Sequence, residues 1–425
     1  MESVIEWLGS ILTDGKQSKL GYNRELWPDD SCGWREIYDF GWVPLKDGRG
    51  YLLPLSSRQN AVNALKLYIP QNFTARIAKR LLTETLKWGV AQLLLPKVCV
   101  LVRHDVPPKD RNQILLVEHV REVLGFRDSS FAVSLGTPGP QRKPVLMVIS
   151  DKGASMAYVK IGWNEQTRRL VENEKHALEV LRGHAFEYGI LPRVLHSGEW
   201  HGKSLLVIEP FAMHVRHCKR SRLGTLHVQF LTEVAKRTSV MQEFMQSVFF
   251  LRLMSGLNTI RGDISSHELR VLETSLDLLT SRFGSAELPW VWRLGDFTPW
   301  NTGVDMNQNR VQAIDLEYAQ DKSVPGWDIF HFLSSSFNGN IDQLCAIYSA
   351  NRRMLPYFRS IDIAPESIPW LYVAYLLDLW IMWALMWKAY SKPKSPEAIK
   401  TFRKHLVLME TLTERIKSKG GGCPL

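Results

Sequence analysis

The stretch that most constrains this chain runs Trp292-Arg-Leu-Gly-Asp296-Phe-Thr-Pro-Trp-Asn301 and returns as Val311-Gln-Ala-Ile-Asp315-Leu-Glu317. Gly303 and the polar run from Asp305 to Arg310 lie between two short segments, which predicts a turn between two strands. A hairpin there presents Asn301 and Asp315 close together. Pro299 forces an extended approach by Thr298. An Asp and an Asn five positions apart, with another carboxylate on the returning strand, suit a phosphoryl-transfer site. One carboxylate orients and deprotonates an incoming hydroxyl, while an amide and a second carboxylate hold Mg²⁺ on the phosphates. Magnesium takes oxygen ligands and keeps several waters, so two protein ligands plus nucleotide oxygens suffice.

Gly295-Asp296 with Asn301, followed by Ile314-Asp315 and Glu317, resembles the signature of the aminoglycoside phosphotransferase and choline kinase family. These are small-molecule kinases with a protein-kinase-like fold. The resemblance covers about residues 126 to 390, and Leu294 departs from it, since the family usually has His there. It implies Asp296 as the catalytic base, Asn301 and Asp315 as metal ligands, and ATP and Mg²⁺ as cofactors. Asp328 in Pro325-Gly-Trp-Asp328 resembles the family's structural P-x-x-D element, which anchors the catalytic loop by hydrogen bonds. Glu317 fits the carboxylate that follows the metal Asp. The implied fold class is α+β and two-lobed: a five-stranded antiparallel N-lobe and a mainly helical C-lobe, with an extra N-terminal α+β extension. The expected divisions are 1–125 (the extension), 126–212 (N-lobe) and 213–425 (C-lobe).

Three strands are expected at Phe131 to Ser134, Pro144 to Ile149 and Met156 to Ile161, and two more around Leu191 to Gly198 and Lys203 to Phe211. The third strand carries Lys160, a charge that is costly to bury unless paired. A helix follows with Glu174, Leu178 and Leu181 on one face, which selects Glu174 over Glu172 as the partner. Lys160 is similar to the family's phosphate-gripping lysine, and Glu174 to the carboxylate that fixes it. Between the first two strands, Gly136, Gly139, Arg142 and Lys143 lie in a loop that suits nucleotide phosphates, or serves as an ordinary hairpin loop. Its two prolines reduce the N–H groups available to phosphate. The run Ile208-Glu209-Pro-Phe211 sits where such kinases place the linker that contacts adenine. His214, His217 and Cys218 lack a matching fourth ligand nearby and are not expected to bind metal.

The chain has 425 residues, enough for two or three domains with a large core. A net charge of +10 suits an anionic partner such as a nucleotide. No Lys/Arg block is interleaved with aromatics, so no nucleic-acid surface is expected. Five scattered cysteines without a CxxC pair argue for a reducing compartment. The acidic N-terminus lacks the basic start of a signal peptide, and the expected location is cytoplasmic.

In the first 125 residues a hairpin is expected over Trp34 to Leu53, helices from Ser57, over Asn72 to Trp88 and over Asn112 to Leu124, and a strand over Lys97 to Val102. On the second helix Ile77, Leu81, Leu82 and Leu86 form one apolar stripe, with Arg76, Lys79, Arg80 and Lys87 elsewhere as a solvated face. Downstream, Leu226 to Arg237, Ser239 to Leu257 and Ser265 to Phe283 have helical spacing, with Gly256 and Gly262 near breaks. Trp370 to Tyr390 approaches membrane-span length, but Asp378 sits mid-run and favours a buried core helix over stable membrane insertion. Asp378 then needs a partner or faces an acceptor pocket. A final helix is expected over Ser395 to Lys417.

These features predict a kinase that phosphorylates a hydroxyl of a small molecule of aminoglycoside, amino alcohol or sugar class. Two alternatives stay open. One is a pseudokinase or nucleotide-binding interaction module, and the other is a membrane-associated protein of surface-polysaccharide assembly. The oligomeric state has no sequence signature.

Overall fold

The computed structural model describes residues 2–22, 33–45, 48–68, 70, 73–211, 215–217, 223–336, 351–390 and 394–418. The chain forms two compact units, Met1–Lys175 with Arg193–Pro210 and His176–Pro192 with Phe211–Leu425. It leaves the first unit for good after Pro210, within the run read as a linker. The class is α+β, as expected.

The first unit is built on one antiparallel sheet. Its strands are β1 (Ser18–Tyr22), β2 (Trp34–Pro44), β3 (Gly50–Pro54), β4 (Lys97–Arg103), β5 (Ser129–Ser134), β6 (Val145–Ser150), β7 (Ser155–Gly162), β9 (Val194–Trp200) and β10 (Lys203–Ile208); β8 (Gly189–Ile190) belongs to the second unit. Their order is β1-β4-β2-β3-β5-β6-β7-β10-β9. The five strands expected from sequence lie side by side as β5-β6-β7-β10-β9. The sheet has nine strands rather than five because β5 does not end it. Tyr51 pairs with Ser134 and Leu52 with Val133, so the N-terminal strands continue the ladder. An open β5 edge would expose a row of unpaired backbone groups.

Both faces of this sheet are covered, so its central strands read as apolar runs. Side chains alternate as the pleat dictates. Leu52, Phe131, Val133, Leu146 and Val148 pack with Ile5, Leu8 and Ile11 of α1 (Glu2–Leu12) and with Leu116, Val117 and Val120 of α6 (Leu116–Leu124). Tyr51, Leu53, Ala132, Met147 and Ile149 face the other way, toward Ala61 and Ala64 of α2 (Arg58–Ala64), Leu86 of α3 (Phe73–Lys87) and Ala91 of α4 (Val90–Leu94). Ser57 caps α2, its side chain accepting from the Asn60 amide. The helix expected over Asn112 to Leu124 breaks at Leu115 into α5 (Arg111–Ile114) and α6, and Gly125 ends it at φ 69°. The turn residues Lys46 and Asp47 lie outside the described residues.

Helix α7 (Glu165–Arg182) follows β7. In the second unit, β8, β11 (Val215–His217), β14 (Thr302–Asp305) and β15 (Arg310–Ala313) form one small sheet. A second contains β12 (Val240–Glu243), β13 (Glu287–Arg293) and β16 (Gln320–Ser323). The helices are α8 (Thr225–Thr238), α9 (Val248–Ile260), α10 (Ser266–Phe283), α11 (Trp327–Ser336), α12 (Asn351–Arg359), α13 (Ile368–Tyr390) and α14 (Pro396–Ser418). The helix expected over Ser239 to Leu257 is shorter. Its first residues form β12, with Val240 opposite Trp290, because strand pairing overrides a weak helical pattern. Gly256 is no break. It lies inside α9, and a Cβ there would come within 2.5 Å of Ile381 on α13, so glycine lets the two helices approach closely.

Helix α13 is the core of this unit, with 83% of its most apolar window buried. Asp378 is satisfied inside it. Arg293 Nη1 donates to Oδ2, Arg252 Nη2 donates to Oδ1 at 3.1 Å, and Trp327 Nε1 donates to Oδ2 at 3.1 Å. Burial alone would raise this carboxyl, but Arg293 and Arg252 hold it below its ordinary value. Its role is structural, and it does not reach the neighbouring cavity.

Candidate active site

In the second unit the hairpin forms as the sequence predicts. Thr302 pairs with Ala313 and Asp305 with Arg310, and the turn is closed by Asp305 Oδ1 accepting from the amides of Asn307 and Gln308. The Ile314 amide donates to the Asn301 carbonyl at 3.0 Å, which brings Asn301 and Asp315 to the same end of the hairpin. Asp315 sits at φ 66°, in the left-handed region that Asp tolerates better than most residues.

Asp296 is reached through a sharp bend at Gly295. Its φ is 91°, and a Cβ there would meet the Tyr318 carbonyl at 2.2 Å, so only glycine fits. Asp328, buried at the start of α11, holds the bend. Its Oδ2 accepts from the Leu294 amide at 2.7 Å and its Oδ1 from the Gly295 amide at 3.0 Å. Burial pushes the Asp328 carboxyl up to about 6, while those two amides pull the other way.

The Asp296 carboxylate is held from both sides. Asn301 Nδ2 donates to Oδ2 at 2.7 Å and to the Asp296 carbonyl at 3.2 Å. His331 Nε2 lies 3.2 Å from Oδ1, and His331 Nδ1 lies 3.1 Å from the Tyr375 hydroxyl. This network fits the Nε2–H tautomer, which donates to Asp296 and accepts from Tyr375. The imidazole also stacks on Trp327, with ring centroids 4.7 Å apart. Burial keeps the Tyr375 phenol well above its ordinary value, so it remains a proton donor. Sequence reasoning missed His331 and Tyr375. A signal was present: His331 follows Asp328 by three residues on α11, the spacing that puts two side chains on one helix face.

Asp296 and His331 line a cavity of about 520 Å³ within this unit. Trp300, Tyr318, Tyr375 and Trp383 give it aromatic walls, and Lys404, His405, Thr401, Ser334 and Ser335 give it polar ones. Among the described lining residues Asp296 is the sole carboxylate. Burial pushes the His405 imidazole down to about 4, so it is neutral near pH 7.

The first unit holds the other candidates. Lys160 on β7 and Glu174 on α7 are both buried, and Lys160 Nζ lies 2.6 Å from each Glu174 oxygen. Glu172, the rejected alternative, is exposed and stands 3.4 Å from the Ser204 hydroxyl. In the loop after β5, Gly136 has φ 71°, and a Cβ there would meet the Lys143 carbonyl at 2.5 Å. Gly139 has φ 153° and open space around it. Arg142 donates to the carbonyls of Leu135 at 3.2 Å and Gly48 at 3.1 Å, and lies 4.7 Å from the Trp7 ring centroid, contacts that hold the loop. Glu209 pairs with Arg193, and its amide donates to the Arg193 carbonyl at 3.0 Å. In the second unit, Phe211 is half-buried. His214 and Cys218, and the His217 side chain, lie outside the described residues.

Asn301 and Asp315 are a donor set that fits Mg²⁺. The Nδ2 bonds to Asp296 fix the Asn301 amide and use its nitrogen rather than its oxygen. Amide and carboxylate oxygens are the ligand type this ion takes.

No family model matches the chain, and no curated protein matches it in sequence. The solved structures that it is similar to include small-molecule kinases. An aminoglycoside 2'-phosphotransferase in its GDP complex has 11% identity and a TM-score of 0.48, over 70% of this chain and 98% of that one. A choline kinase from Streptococcus pneumoniae has 14% identity and a TM-score of 0.47, over 69% and 98%. An ADP-bound aminoglycoside phosphotransferase has 14% identity and a TM-score of 0.44, over 70% and 98%.

Proposed function

We propose that this protein is a phosphotransferase that moves the γ-phosphate of ATP to a hydroxyl of a small molecule. The observation that carries the proposal is the Asp296 carboxylate on the wall of a cavity of about 520 Å³, with one oxygen fixed by Asn301 and the other by His331. A carboxylate so held accepts the proton of an acceptor hydroxyl as its oxygen attacks the γ-phosphorus. Lys160, fixed by Glu174, neutralises nucleotide phosphate charge, and Asn301 and Asp315 hold Mg²⁺. When bound, the ion supplies positive charge to the phosphates. Gly136, Gly139 and Arg142 then belong to the loop over the phosphates, and Glu209 and Phe211 to the segment beside the base. On this reading the enzyme works in the cytoplasm, where ATP and Mg²⁺ are supplied.

The cavity also bears on the acceptor. A polycationic aminoglycoside calls for several carboxylates, and the described lining offers Asp296 alone, with Lys404 nearby. Aromatic walls with scattered hydroxyl and imidazole groups suit a neutral or anionic hydroxylated ring, which favours the sugar class.

The test is release of ADP from Mg-ATP, or of GDP from Mg-GTP, across a panel of sugars, amino alcohols and aminoglycosides. Asp296→Asn is expected to lower turnover by at least about 10²-fold and to leave the thermal shift with Mg-ATP intact. Wild-type turnover in that variant would remove the mechanism. Nucleotide binding without turnover in the wild type would make the chain an interaction module.

A further inference from the structure

Helix α3 does not carry the single apolar stripe that its sequence suggests. The structure splits it. Leu82 and Leu86 turn inward, against the cluster that contains Ala61 and Ala64. Phe73, Ile77, Leu81 and Trp88 turn outward and are exposed, Trp88 at 76% and Phe73 at 67%. Leu93 and Leu94 on α4 extend this outward surface, at 86% and 74%. At 3.6 residues per turn, Phe73, Ile77, Leu81 and Trp88 fall within about a quarter of the helix circumference. Arg76, Arg80 and Lys87 fall together along one edge of that stripe and are exposed; Lys87 pairs at 2.9 Å with Glu84, which lies within the stripe, so Arg76 and Arg80 carry the net positive charge of that edge.

Scattered exposed apolar residues need no explanation, but seven large ones between Phe73 and Leu94, Val90 included, do. The inner face of α3 is already occupied, and among the described residues none buries the outer one. A stripe of Phe, Leu and Trp with a basic edge is the pattern of a helix lying in a membrane interface. The basic edge also argues against a second copy of this chain. A two-fold contact through one stripe with its axis across the helix would bring like-charged edges toward each other. The chain's net charge of +10 points to an anionic partner as well.

We propose that α3 and α4 dock this protein peripherally on an anionic phospholipid surface. The apolar stripe seats at the boundary of headgroups and acyl chains, and Arg76 and Arg80 meet lipid phosphates. Helix α13 has no part in this, being the core of the second unit.

The experiment is flotation of the full chain with vesicles of phosphatidylcholine alone and of phosphatidylcholine mixed with phosphatidylglycerol. Binding is expected on the mixed vesicles only, and it should fall as salt rises. Leu81→Ser with Trp88→Ser, and separately Arg76→Glu with Arg80→Glu, should each reduce binding by at least about ten-fold. Thermal unfolding should be unchanged, because these side chains are exposed. Four results would overturn the proposal: no binding to either vesicle, equal binding to both, binding that persists in both double variants, or self-association in solution that Leu81→Ser with Trp88→Ser abolishes.

Discussion

Asp296 illustrates how much one side chain depends on its immediate holders. Its carboxylate is oriented by an amide five residues on and by an imidazole from another helix. Leu294 contributes to the bend through its backbone rather than its side chain. Its backbone amide does the anchoring to Asp328, and a buried Leu leaves that bond intact. On the proposed mechanism His331, 3.2 Å from Asp296 Oδ1, is a positioning residue. His331→Phe keeps the ring on Trp327 and removes both hydrogen bonds. It is expected to lower kcat by about 10- to 100-fold with little change in KM for nucleotide. Steady-state kinetics check this, and an unchanged kcat would leave His331 a packing residue only.

At the scale of elements, α13 shows why an apolar helix of near-membrane length sits inside a folded core. Asp378 ties it to β13 through Arg293, to α9 through Arg252 and to α11 through Trp327. The same α11 carries Asp328 and His331, so the ties that fix α13 also fix the supports of Asp296. Removing the charge at Asp378 leaves Arg293 buried without its carboxylate. Asp378→Asn is expected to cost about 3 to 5 kcal/mol, read from urea unfolding; a change below about 1 kcal/mol would mean the network is dispensable. The hairpin, α10 with its capping box of Ser265 and Glu268, and the five strands around Lys160 were legible because local patterns and local pairing agree. The opening of the expected Ser239 to Leu257 helix was not, because β12 is made by a partner strand far along the chain.

For the whole molecule, buried titratable groups predict a response to acid. Burial pushes His227 and His405 down to about 4, below the ordinary histidine value. The unfolded chain therefore takes up these protons first. Their contribution to stability is complete above about pH 6.5 and is lost as pH falls toward 4. Asp328, raised to about 6, has the opposite sign, because the folded form binds its proton first and gains stability as pH falls below 6. Two histidines outweigh one carboxyl, so the thermal midpoint should fall between pH 6.5 and 4, and His227→Asn should flatten that slope. A midpoint that rises over this window would contradict the burial of both imidazoles.

The sequence by itself determined the local geometry: the hairpin bearing Asn301 and Asp315, the Lys160 strand with its Glu174 helix, and the fact that α13 must find a partner for Asp378. These follow from spacing, turn residues and the cost of burying charge, all of which act within a short stretch of chain. Tertiary structure alone decided that β5 continues into a nine-stranded sheet, that His331 and Tyr375 stand behind Asp296, and that Ile77 and Leu81 of the expected α3 stripe face outward. Those outcomes depend on which distant segment arrives at an edge, a loop or a helix face, and periodicity within one element carries no record of its neighbours.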